Sequence, residues 1–195
     1  GSYSTGDMVV EGEFSVEGWA ETVNWDFGFG PSVSVPDVNE PSGAPIVGTL
    51  WGNHIVAYVS ELNETQWSVY LLSREEKVEV PSALSMDDNP DAALDYAGSY
   101  TEGELSGWNV PTTAEAQMLQ QSLGGDALLD LNEMLTQEGL PPFLDYEPNS
   151  STEKARYLCD DGKKSFSMAG TTAPSKAGEK KKYRLRLVKE IIVDK

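Results

Sequence analysis

The run Ser106-Gly-Trp-Asn-Val-Pro-Thr-Thr-Ala-Glu115 constrains the fold of this chain more than any other stretch. Pro111 pushes Val110 away from helical backbone and so fixes a boundary. Thr112 is then placed as a helix N-cap. Glu115, three residues on, can reach back to the N–H of the cap, so that two otherwise unpaired donors are satisfied reciprocally. Trp108, Pro111, Thr112 and Glu115 are therefore read as an architectural corner, where a buried strand ending turns into a helix, and not as catalytic groups.

Other elements are predicted around that corner. Leu50 to Ser60 and Gln66 to Ser73, the latter with Trp67, Val69 and Leu71 alternating, read as two strands joined by the polar turn Glu61-Leu-Asn-Glu-Thr65. Asn89-Pro-Asp91 signals a first helix, with Asn89 as cap, Pro90 at the first helical position and Asp91 at the positive end of the helix dipole; Ala93, Leu94, Ala97 and Tyr100 give it an apolar stripe. The second helix runs from the capping box to about Leu123, with Met118, Leu119 and Leu123 inward and Gly124 ending it. The third is capped by Asp126, carries Leu128, Leu131 and Leu135, and stops at Gly139 before Pro141 and Pro142. Strands at 155–160 and 163–168 follow, joined by Asp161-Gly162, a preferred hairpin pair. Tyr183 to Val193 reads as one final strand. Strands, then helices, then strands make an α+β domain over residues 46–195, closed by its last strand.

Residues 1–45 differ in character. Val10, Phe14 and Val16 alternate with acids, and Trp19, Val23, Trp25, Phe27 and Phe29 continue an aromatic alternation before the linker Pro36 to Pro45. This β-rich extension is too short to fold securely alone. It is expected either to pack locally or to pair with an open sheet edge of another chain.

Charge sharpens the picture. The net charge is −18, which repels phosphate backbones and anionic lipid surfaces, so neither nucleic acid nor membrane-surface partners are expected. Residues 1–150 hold 26 acids against only Arg74 and Lys77, a net −24, whereas residues 151–195 carry a net +6. The basic tail must lie against the acidic body or reach a partner; lying against the body relieves self-repulsion within one molecule. One cysteine, Cys159, excludes an intrachain disulfide, and with one histidine, His54, it excludes a Cys/His metal cluster. Cys159 is expected to be a small core residue. His54 is expected in a turn or strand, with a Ser-His-Asp hydrolase left open although no Gly-x-Ser-x-Gly elbow accompanies it. No apolar run approaches the ~20 residues of a spanning helix. Ser2-Tyr-Ser-Thr-Gly-Asp7 has the polar composition expected after a removed signal or lipid anchor.

Asp91-Ala-Ala-Leu-Asp-Tyr-Ala97, Gly107-Trp-Asn-Val-Pro-Thr112 with Glu115 and Leu119, Arg156-Tyr-Leu-Cys-Asp-Asp-Gly162 and Tyr183-Arg-Leu-Arg-Leu-Val188 together resemble the Fibrobacter succinogenes major-paralogous-domain family, abbreviated FISUMP. That family is typified by a Trp-Arg-Leu-Pro-Thr-x-x-Glu run and a downstream Arg-Leu-Val strand; Asn109 stands here where the family carries arginine. The resemblance implies a C-type-lectin-like fold related in architecture to sulfatase modifiers. It also implies export to the outer-membrane surface or exterior of Bacteroidetes, lipid anchoring and, for some members, pilus association. The modifier chemistry needs paired cysteines, which one cysteine cannot supply. Glu147-Pro-Asn149 equals the tripeptide with which mannose-type C-type lectins ligate calcium, and its oxygens suit a hard cation, but the Trp-Asn-Asp partner and two disulfides of those lectins are absent, and the tripeptide is read first as a loop with a proline turn. The expected function is thus a non-enzymatic surface domain for binding or assembly, its partner a protein or glycan at the cell exterior. A calcium-dependent lectin using Glu147 and Asn149 and a hydrolase using His54 are the alternatives.

Overall fold

A computed structural model of the chain describes residues 44–86, 88–143, 156–168, 170 and 172–195. The predicted strands of the leading segment and the pair Glu147 and Asn149 lie outside the described residues. The described part is α+β, with three helices and two sheets.

The first sheet is built from β1 (Leu50–Trp51), β2 (His54–Asn63) and β3 (Gln66–Leu72), with β9 (Val188–Asp194) entering beside β3 to give the order β1-β2-β3-β9. All its pairings are antiparallel. Gly52, at φ 59°, makes the turn that separates β1 from β2 where one strand was expected. The β2–β3 connection is also tighter than expected. The strand runs on to Asn63, and its Oδ1 accepts the N–H and hydroxyl of Thr65, so only Glu64 and Thr65 form the turn.

This sheet is buried on both faces over part of its length. Ile55, Leu72 and Val188 pack on Leu119 and Leu123 of α2 (Thr113–Leu123) and on Leu128, Leu131 and Leu135 of α3 (Asp126–Gln137). Val56, Val69 and Leu71 pack on the opposite side against Ala93 and Ala97 of α1 (Ala92–Ser99), with Trp108, Val110, Leu185 and Leu187. Adjacent Leu71 and Leu72 are therefore both fully buried, where simple alternation would leave one exposed. Each buried leucine contributes about 1.5–3 kcal/mol relative to exposure.

The second sheet has the order β4 (Lys77–Pro81), β8 (Lys182–Leu185), β5 (Tyr157–Cys159), β6 (Lys164–Phe166), β7 (Ser175–Lys176). The sheet is mixed, because β5 runs parallel to β8 at Tyr157 and Arg184. The expected single strand from Tyr183 to Val193 is broken: β8 serves this sheet and β9 the first, with Arg186 and Leu187 crossing between them. Both crossing residues are fixed by buried bonds. Leu187 exchanges its N–H and C=O with the Ser73 hydroxyl and N–H. The expected Asp161-Gly162 hairpin is a longer turn, with Asp160, Asp161 and Gly162 all at positive φ and Gly162 N–H donating to Cys159 C=O. A β-carbon at Gly162 would also crowd Ala83.

The helices follow their apolar stripes, with corrections at their starts. Asn89 does not cap α1. Its Oδ1 accepts the N–H of Asp91 in a turn around Pro90, and the helix begins at Ala92, leaving Leu94 exposed. Asp126 is the first residue of α3 and not its cap; Gly125, at φ 63°, holds the cap position. At the far end Gly139 N–H bonds Thr136 C=O and Leu140 N–H bonds Leu135 C=O, the paired bonds of a glycine-terminated helix.

Candidate functional site

At the Trp108–Glu115 corner the expected helix start is present, while the expected strand ending is a single bridge at Asn109. Thr112 N–H donates to Glu115 Oε2 at 2.7 Å, and Glu115 N–H donates to Thr112 Oγ1 at 3.2 Å. Asn109 exchanges N–H and C=O with Val188 at 2.9 Å each, while Pro111 C=O accepts Asp160 N–H at 2.8 Å. The corner thus links β9, the β5–β6 hairpin and α2. Trp108 is 2 % exposed, packs edge-on against Tyr100 at 5.4 Å and donates its indole N–H to Leu105 C=O. Every feature of the motif is used in holding elements together.

His54, at the start of β2, has a carboxylate partner that the sequence did not suggest. Its Nδ1 lies 2.7 Å from Glu102 Oε1. The same carboxylate accepts Tyr100 Oη–H at 2.8 Å and Arg74 N–H at 2.9 Å. Glu102 is 8 % exposed. Burial pushes its carboxyl up, but the bonds from His54, Arg74 and Tyr100 outweigh burial and hold it below the usual range. Burial first, and then the bond to Glu102, push the Tyr100 phenol well up. Chemically, a histidine oriented through Nδ1 by a carboxylate presents Nε2 as a base, which is half of a hydrolytic arrangement.

A second buried carboxylate, Glu76, is gripped by cations. Arg184 Nη1 donates to its Oε1, Tyr157 Oη donates to its Oε2 at 2.9 Å, and Arg186 Nε lies 3.7 Å from Oε2. Arg186 also donates to the carbonyls of Ser73, Arg74 and Pro141, and its guanidinium lies 4.4 Å from the Phe143 ring centre. Burial pulls the Arg186 guanidinium down and Glu76 opposes it. Cys159 is fully buried, and burial pushes its thiol up to about 12, which leaves it a core residue at neutral pH.

One end of the first sheet leaves the core. There the β2–β3 hairpin carries Leu62, 52 % exposed, and β9 carries Ile192, 50 % exposed, between exposed Glu190 and Asp194. The Ser68 hydroxyl donates to Glu190 Oε1, and Gln66 Nε2 donates to Asp194 Oδ1 at 3.0 Å. Tyr58 and Tyr70 meet edge-on at 6.3 Å beside them.

No family model, curated protein or solved structure matches this chain. Among the described residues no group of three His, Cys, Asp or Glu is placed to hold a metal, and Glu147 and Asn149 fall outside them. No helix among them is long and apolar enough to cross a membrane. Sequence reading singled out His54 but missed Glu102, 48 residues away, and it missed Glu76, whose arginine partners lie in the tail. The pairing of a lone histidine with a distant acid leaves no local spacing to detect.

Proposed function

We propose that this chain is an exported cell-surface domain of C-type-lectin-like type that binds or assembles without catalysing a reaction. The observation that carries the proposal is the sheet end described above. Exposed Leu62 and Ile192 lie there, on strands whose other ends are buried on both faces. Apolar surface held out on a rigid strand is where a partner gains most from docking. The capping-box corner between β9 and α2 supports the family reading, and the strongly acidic body suits a partner at the cell exterior over nucleic acid or an anionic lipid surface. The test is a screen of immobilised glycans and extracellular matrix proteins, run with calcium and with EDTA. Binding that survives EDTA and is lost in Leu62→Glu and Ile192→Glu supports this reading. Binding lost in EDTA and in Asn149→Ala moves the function to a calcium lectin at Glu147 and Asn149.

A second reading rests on the His54–Glu102 pair, whose 2.7 Å bond orients an imidazole as hydrolases require. Ester or glycoside hydrolysis that vanishes in His54→Ala would establish it and overturn the non-enzymatic proposal.

A further inference from the structure

We infer that β9 is an acceptor edge that takes an extended, basic strand from another protein, extending the first sheet by one strand. This deepens the binding reading above and rests on it. β9 pairs with β3 along one side only. On its other side Val188 exchanges both backbone groups with Asn109, and that contact is a single bridge. Gly107, at φ 71°, makes no second bridge to β9 among the described residues.

Backbone alternation tells which groups are left. In an antiparallel ladder, successive residues direct their N–H and C=O to opposite sides. Val188 directs its pair outward to Asn109, and Lys195 N–H points inward to Thr65 C=O at 2.8 Å. Lys189, Ile191 and Val193 therefore face β3, and Glu190, Ile192 and Asp194 direct their N–H and C=O to the edge. Among the described residues no strand pairs with that stretch. Natural sheets cover or charge such edges, and this one is left long enough to accept a strand.

Charge selects the occupant. The side chains at the outward positions are acid, isoleucine, acid, with Glu190 and Asp194 both exposed. A partner strand with Lys or Arg opposite the two acids and an apolar residue opposite Ile192 gains at every cross-strand position, whereas like charges directly opposite are destabilising. A second copy is disfavoured by the same rule. A twofold pair that uses all three outward positions must set Glu190 against Asp194 of the other chain, and sliding the register runs it into Val188, which Asn109 already covers. The leading segment of the chain is acidic between its apolar residues, at Glu11, Glu13, Glu17, Glu21 and Asp26, and meets the same repulsion.

The test is backbone amide hydrogen exchange on the full chain, with and without an extended peptide that carries lysine, valine and lysine at every second position, to lie opposite Asp194, Ile192 and Glu190; its lysine-to-glutamate counterpart and a version with proline at alternate positions serve as controls. In the chain alone, the amides of Ile191 and Val193 exchange slowly while those of Glu190 and Ile192 exchange fast. The basic peptide slows the fast set, and the two control peptides do not. Ile192→Pro removes an outward donor without touching the β3 ladder and weakens peptide binding about tenfold. Glu190→Lys with Asp194→Lys reverses the preference to the glutamate peptide, which keeps the proposal testable if the proline variant misfolds. Outward amides that are already slow in a monomeric chain overturn the inference, because the chain then covers its own edge. Slow outward amides in a species that sediments as a dimer overturn it in favour of a second copy. Fast amides with no response to any peptide, alongside EDTA-insensitive binding in the surface screen, sink this inference and leave the binding reading standing.

Discussion

Two carboxylates buried in this domain are partnered by different means. Glu76 is surrounded by the side chains of Arg184, Arg186 and Tyr157. Glu102 is held by one imidazole, one phenol and one backbone N–H. The first arrangement balances charge with permanent cations drawn from the tail, so it joins distant segments but leaves an ion only partly compensated if one member is lost. The second surrounds the carboxylate with three separate hydrogen bonds, of which only that from Tyr100 is local in sequence, so losing one donor leaves the others in place. Glu76 is a joint of the fold, and Glu102 is an orienting group for one histidine.

The contrast breaks hardest at Arg186. Arg186→Met is expected to cost about 3–5 kcal/mol in urea denaturation, since it takes one of two cations from Glu76, which keeps Arg184 and Tyr157, and frees three carbonyls of their donor. Adding Glu76→Gln should recover part of that loss, and a double-mutant cycle measures the coupling. Glu102→Gln is expected to cost less, about 1–3 kcal/mol, because the amide still accepts some of the three bonds.

Acid sharpens the difference. The Glu102 carboxyl is depressed in the folded state, so its contribution is present above the ordinary carboxylate pKa and is lost as pH falls through the folded value. Denaturation midpoints followed from neutral to strongly acid pH should fall in the parent chain and fall less steeply in Glu102→Gln. Tyr100→Phe removes a single donor and should cost about 1 kcal/mol by thermal unfolding, with Trp108 still packed on the ring. The smallest effect belongs to a buried thiol on which burial outweighs the nearby charges of Lys164 and Arg156. Cys159, its thiol pushed up to about 12, should resist iodoacetamide at pH 8 in the folded chain and react only on unfolding, by mass spectrometry.

What was legible in the sequence was local. The Thr112 and Glu115 cap and the Leu128, Leu131, Leu135 stripe depend on residues three or four apart, and both are built as read. The order of strands, helices and strands gave the α+β class, and the excess charge of the tail anticipated its insertion among acidic residues. The break at Arg186 was not legible, because alternation continues through Leu185 and Leu187 and only Glu76, 110 residues away, shows why the chain must cross there. Strand β4 was missed, being short, ended by Pro81 and bulged at Glu79 with φ 56°. The helix starts at Ala92 and Asp126 shifted because asparagine and glycine turns took over the work assigned to caps. Of the groups with possible chemistry, His54 could be named, but the carboxylate and phenol that define its surroundings come together only in three dimensions.

Residues 182–194 give one strand to each sheet, and this has a consequence for timing. Neither sheet is complete until that stretch has been made, because β8 separates β4 from β5 and β9 is the last strand beside β3. A growing chain therefore carries most of its acids, with the edges of β3 and β5 unfilled, before the bases that neutralise Glu76 arrive. Contacts of such long sequence separation close late and slowly. Residues 50–166 would stay open and self-repelling, and would lock only when residues 182–194 come into reach.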